Sequence, residues 1–154
     1  MHRTTPIHRT LSVRTALAVS LALLCQVSLA APAVVNVLLQ DPTTDAAIHS
    51  MHIALDHESV PAGPVTFRAV NQSKGQVHEL IVVRSDPRQK ALPYDEKKAE
   101  VVEKRIKHLG EISDLKPGAS GSMTLNLKPG SYVLICNQPG HYKAGMTTAF
   151  SVTK

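Results

Sequence analysis

The sequence predicts an all-β protein of the sandwich type. Three observations carry that prediction. Beyond residue 31 the chain breaks into about seven short runs rich in apolar and β-branched residues. Several of them alternate apolar with polar side chains. Pro, Gly and Asn punctuate them at close, regular intervals.

The first thirty residues stand apart. Met1 to Arg14 holds Arg3, Arg9 and Arg14 and no acid, and Thr15–Ala30 is an uncharged, largely apolar run of sixteen residues. A basic start, an apolar middle and small residues (Ser28, Ala30) before Ala31-Pro32 form the layout of a secretory signal peptide. The run falls short of the roughly 20 residues a membrane-spanning helix needs. The expected organisation is therefore a signal peptide over 1–30, cut at Ala30/Ala31, and one domain over 31–154 exported to the periplasm. An uncleaved anchor is the alternative. Cys25 follows Leu24 rather than the small residue a lipoprotein signal requires.

In the exported part, fourteen Lys and Arg face all twelve acids, a formal charge of only +2. Its aromatics are Phe67, Tyr94, Tyr132, Tyr142 and Phe150, and no basic run interleaves with them. Base stacking on nucleic acid is not expected.

The strands follow in order. AVVNVLLQ (33–40) is an apolar, β-branched run. IHSMHIAL (48–55) alternates, with Met51, Ile53 and Leu55 on one face. SVPAGP (59–64) reads as a turn segment. VTFRAVNQ (65–72) and QVHELIVVR (76–84) flank a Ser-Lys-Gly turn. MTLNL (123–127) and SYVLICN (131–137) flank Lys128-Pro129-Gly130, and MTTAFSV (146–152) ends the series.

One segment departs from this pattern. Over 95–109, Ala99, Val102, Ile106 and Leu109 recur at helical spacing, Asp95 and Glu96 open the run, Lys104, Arg105, Lys107 and His108 close it, and Gly110 follows. This predicts an inserted amphipathic helix lying on the sandwich.

The chemistry gathers in CNQPGHYKAGM (136–146). Signal cleavage removes Cys25 and leaves Cys136 with no disulfide partner, in a compartment where a free thiol is a liability. A bound metal is one way to hold it. Tyr132 and Leu134 share the face of Cys136, and Asn137-Gln138-Pro139-Gly140 reverses the chain so that His141 returns toward the thiol. Met146 opens the next strand. Thiolate and thioether are soft donors and imidazole suits copper. Two His and one Cys with a weak axial Met describe a blue-copper site. His78, in line with Leu80 and Val82, is the best candidate for the second imidazole, because a buried imidazole needs a partner.

On C-x4-H-x4-M, the histidine of VHEL and the phrase SVPAGPVTFRAVNQ, the chain resembles the cupredoxin family across nearly all of 31–154. The resemblance implies a Greek-key sandwich and one mononuclear type 1 copper. It implies His78, Cys136 and His141 as equatorial ligands and Met146 as the axial one. It also implies a monomeric electron carrier, not an enzyme, that cycles Cu(II)/Cu(I) with a transient redox partner such as a cytochrome or a copper enzyme. No membrane attachment is expected once the signal is removed. Two positions depart from the family. Glu79 stands where Asn often ties the two ligand loops together, and Asn137 where Thr or Ser is common.

The alternative reading is a periplasmic copper chaperone or resistance protein using the same ligands. Only HSMH (49–52) with His57 would favour it, and strand alternation sends His49 and His52 to opposite faces. His108 is expected to face solvent at the end of the helix. A Cys136/His141 nucleophile pair lacks any oxyanion device, and zinc would prefer a stronger fourth ligand than Met146.

Overall fold

The computed structural model describes residues 31–45, 50–86, 88 and 91–154. The signal segment 1–30 and the expected strand positions Ile48 and His49 lie outside them. Among the described residues, eleven strands form two sheets and a separate hairpin. The first sheet runs β2 (His52–Leu55), β1 (Ala33–Gln40), β4 (Gly63–Asn71), β9 (Ser120–Leu127). The second runs β3 (Ser59–Pro61), β11 (Thr147–Thr153), β10 (Gly130–Ile135), β5 (His78–Arg84), β8 (His108–Leu115). β6 (Tyr94–Asp95) and β7 (Glu100–Val101) make the hairpin. β1 pairs in parallel with β4, and β11 with β3; the other pairs are antiparallel.

Alternation fills the space between the sheets. Val35, Val37 and Leu39 of β1 and Val65, Phe67 and Ala69 of β4 are fully buried. They meet Leu80 and Val82 of β5, Tyr132 and Leu134 of β10 and Phe150 of β11. Phe67 and Phe150 meet edge to face at 5.3 Å. Met51 and Leu55 pack on this core beside buried Ile53, as the alternation predicts.

The inserted helix over 95–109 is not formed. The segment makes the β6–β7 hairpin, a single 3-10 turn at Glu103–Arg105 and the start of β8. Local and tertiary hydrogen bonds outcompete a helix that is marginal at this length. Asp95 Oδ1 accepts from the Lys97 and Lys98 amides, a turn that bends the chain within its first residues. Ala99 takes a left-handed φ of 57° and its carbonyl accepts from Gly140 N–H at 2.7 Å. The apolar residues serve a different surface from the one a helix would cover. Tyr94, Val101 and Ile106 join Leu92, Val133 and Tyr142 over Ile81, Val83 and Ile135 on the outer face of the second sheet. This cover explains why β5 reads as the unbroken apolar run LIVV: both of its faces are buried. Leu109, assigned to the apolar helix face, is 40% exposed.

Candidate metal centre

Two strand ends and one loop build the site. β5 begins at His78, whose side chain follows Leu80 and Val82 into the core and is 0% exposed. β10 ends at Ile135, and Cys136 continues its inward row at 0% exposure. The loop then turns twice. His141 N–H donates to Gln138 O at 2.9 Å, with Gly140 at φ 85° in the first turn. Ala144 N–H donates to Gly140 O and Gly145 N–H to Tyr142 O, which forms the second. Gly145, at φ 102°, precedes buried Met146. Met146 N–H donates to His141 O at 3.0 Å, and its carbonyl accepts from Cys136 N–H at 3.1 Å. The three spaced residues of the sequence are therefore locked together by main-chain bonds.

The side chains converge. Cys136 Sγ lies 3.5 Å from His141 Nδ1 and 3.9 Å from His78 Nδ1, and the two Nδ1 atoms are 3.2 Å apart. The point equidistant from these three atoms lies about 2.1 Å from each, within the range of metal–nitrogen and metal–sulfur bonds. Burial, joined by the neighbouring His141 and partly offset by Asp41, lowers the pKa of His78, and burial lowers that of His141. At neutral pH both rings therefore carry lone pairs. Two neutral imidazoles that present Nδ1 atoms, together with a thiol, at one buried point form a set of Lewis bases that a cation satisfies. Burial pushes the Cys136 thiol up to about 11, so a metal must displace its proton.

The ligand loops are tied through Glu79 and Asn137. Glu79 N–H donates to Cys136 Sγ at 3.4 Å. Its carboxylate also ties the loops: Oε1 accepts from Asn137 N–H at 2.9 Å. Burial, and then Glu111, Glu103 and Asp114, raise Glu79 to about 7 against that hydrogen bond. Asn137 clamps the loop to the hairpin. Its Oδ1 accepts from Val101 N–H at 2.6 Å, and its Nδ2 donates to Val101 O at 3.1 Å and Glu103 Oε1 at 2.9 Å. Sequence reasoning missed this clamp because its partner segment was read as a helix.

Behind His78 lies Asp41, also missed. Its Oδ2 is 3.5 Å from His78 Nε2, and the two side chains are 1% and 0% exposed. Nothing in the local pattern QDPTT marks it, since it follows a strand where a turn aspartate is ordinary.

Among the described residues, the other histidines form no comparable buried centre. His52 is exposed beside buried Ile53. His57 is exposed and pairs with Asp56. His108 does not stand free at a helix end. It is half-buried, with Nδ1 3.6 Å from Glu103 and Nε2 3.5 Å from Glu111. With Glu103 and Glu111 it brings three ligand atoms within 4.8 Å of one another, but without a thiol or a buried carboxylate.

No protein-family model matches the chain, and no curated protein matches it by sequence. Solved structures do. Auracyanin from the photosynthetic bacterium Roseiflexus castenholzii is similar at TM-score 0.57 and 22% identity, over 81% of this chain and 99% of that one. Auracyanin B is similar at TM-score 0.57 and 28% identity, over 81% and 92%. Rusticyanin from Thiobacillus ferrooxidans is similar at TM-score 0.57 and 16% identity, over 78% and 76%.

Proposed function

We propose that this chain, a cupredoxin in fold, is a one-electron carrier that holds a single type 1 copper on His78, Cys136, His141 and Met146. The observation that carries the reading is the convergence of Cys136 Sγ and two histidine Nδ1 atoms within 3.2–3.9 Å of one another. A structure among the similar ones is itself described as that of a copper protein, rusticyanin. Bound copper supplies reversible Cu(II)/Cu(I) chemistry. The protein's part is to keep the donors still. His78 and Cys136 are pinned by strands with both neighbours paired, and Met146 by its main-chain bonds to Cys136 and His141. A frame that does not move between oxidation states keeps the reorganisation accompanying each transfer small.

His141 is the most exposed of the four and serves as the electron port. Around it, Pro139, Ala144 and Gly145 are exposed and small, and they form a patch for brief contact with a cytochrome or copper enzyme. Residues 1–30 act as a signal peptide, the carrier works in the periplasm as a monomer, and no substrate is turned over. Burial of His78, Cys136 and Met146 at 0% exposure favours electron transfer over copper delivery, which needs ligands that a recipient can reach.

Voltammetry of the copper-loaded protein tests the reading. A reversible one-electron couple is expected, shifted but not lost in Met146→Leu. Absence of a couple, with copper passing readily to a chelator, would instead identify a delivery protein.

A further inference from the structure

We propose that Asp41 is a positioning residue for the copper site, which fixes the tautomer of His78 and biases the centre toward its oxidised state. This rests on the copper reading above. Asp41 directly follows β1 and its carboxylate faces the ring of His78 from behind, Oδ2 to Nε2, 3.5 Å apart with both side chains buried. Neither atom meets a hydrogen-bond partner at normal geometry among the described residues, so each faces the other. The opposite ring nitrogen, Nδ1, is the one that meets Cys136 and His141. An ionised carboxylate only accepts, so the proton of the neutral ring resides on Nε2 and the lone pair on Nδ1 points to the metal position.

The carboxylate is itself held. Its Oδ1 accepts from Thr43 N–H at 2.8 Å and from the Thr43 hydroxyl at 2.5 Å, and Asp41 N–H donates to Thr44 Oγ1 at 3.2 Å. The Thr43 hydroxyl also reaches Ser73 Oγ at 3.3 Å, which ties this turn to the one before β5. Such a carboxylate–histidine pair orients the ring and raises its basicity toward a metal. A fixed negative charge one imidazole away from the copper favours Cu(II) over Cu(I). Removing that charge shifts the ratio of the two affinities by about ten- to fiftyfold at an effective dielectric near 20.

The test compares copper-loaded wild type, Asp41→Asn and Thr43→Val. Asp41→Asn should keep the thiolate-to-copper band and raise the potential, since each tenfold change in relative affinity is about 59 mV for one electron. Thr43→Val keeps the carboxylate. It should lower thermal stability while moving the potential far less. In the diamagnetic Cu(I) wild type, nitrogen-resolved NMR should show an exchange-protected proton on His78 Nε2. An unmoved potential in a blue Asp41→Asn protein overturns the proposal, as does a His78 Nε2 without that proton. Should Asp41→Asn not fold, the wild-type NMR result decides. A colourless wild type sinks the copper reading instead, so the two failures are distinct.

Discussion

Replacing Asn137 by Ala should destabilise the protein without removing the metal site. The amide is buried, at 5% exposure, and satisfies both main-chain groups of Val101 as well as Glu103 Oε1. Truncation leaves Val101 N–H and C=O without partners in a buried position. Each orphaned group costs about 1–3 kcal/mol, so the sum is about 2–6 kcal/mol, less whatever an entering water recovers. For a domain of this size that corresponds to a fall in Tm of roughly 10 °C. Thermal and urea unfolding of the copper-free protein measure it. The visible band of the copper form should survive, because the Asn137 side chain touches no ligand atom. Asn137→Asp keeps the acceptor for Val101 N–H but sets a carboxylate against Glu103, and a double-mutant cycle with Glu103→Gln should show that repulsion relieved. A change below about 0.5 kcal/mol in Asn137→Ala would refute the clamp, since surface substitutions fall in that range.

Three further outcomes are expected. Because the Cys136 thiol titrates near 11, binding Cu(II) at neutral pH should release one proton and gain about tenfold in affinity per pH unit; a pH-independent affinity would contradict thiolate ligation. Burial raises the pKa of Asp56, but hydrogen bonds from the Asn36 side chain, His57 and the Asn36 amide outweigh it and hold the pKa below 3.8. Its stabilising contribution is thus present above that value and lost as the pH falls below it, so Asp56→Asn should flatten the acid limb of the stability curve. In Gly121→Ala the new Cβ would sit 2.5 Å from Ile112 Cγ2, where β9 passes close to β8. That should cost about 1–3 kcal/mol, with partial recovery on adding Ile112→Ala.

Much of the fold and the convergence of the site was legible in the sequence because both rest on local pattern. Apolar, β-branched runs marked β1 and β5, alternation marked the segment of β2, and the inward rows ending at His78 and Cys136 followed from the period of two. Turn residues marked the connection before β10, although it passes from one sheet to the other instead of closing a hairpin. What escaped depends on contacts distant in sequence. β3 is only three residues long, and its pairing with β11 is parallel and non-local. The stretch 95–109 carries helical spacing, yet its backbone is claimed by Asn137 and Gly140, some forty residues away. Asp41 lies thirty-seven positions before His78 and meets it only because β1 and β5 face each other across the core. The tie through Glu79 was hidden for another reason: nothing local marks a strand carboxylate that accepts a main-chain N–H from a loop fifty-eight positions away.

The most direct test of the central claim is the visible spectrum of purified 31–154 titrated with Cu(II). An intense thiolate-to-copper band should appear, saturate at one copper per chain, bleach with ascorbate, and be absent in Cys136→Ser. A colourless copper complex, or a band that persists in Cys136→Ser, would contradict it.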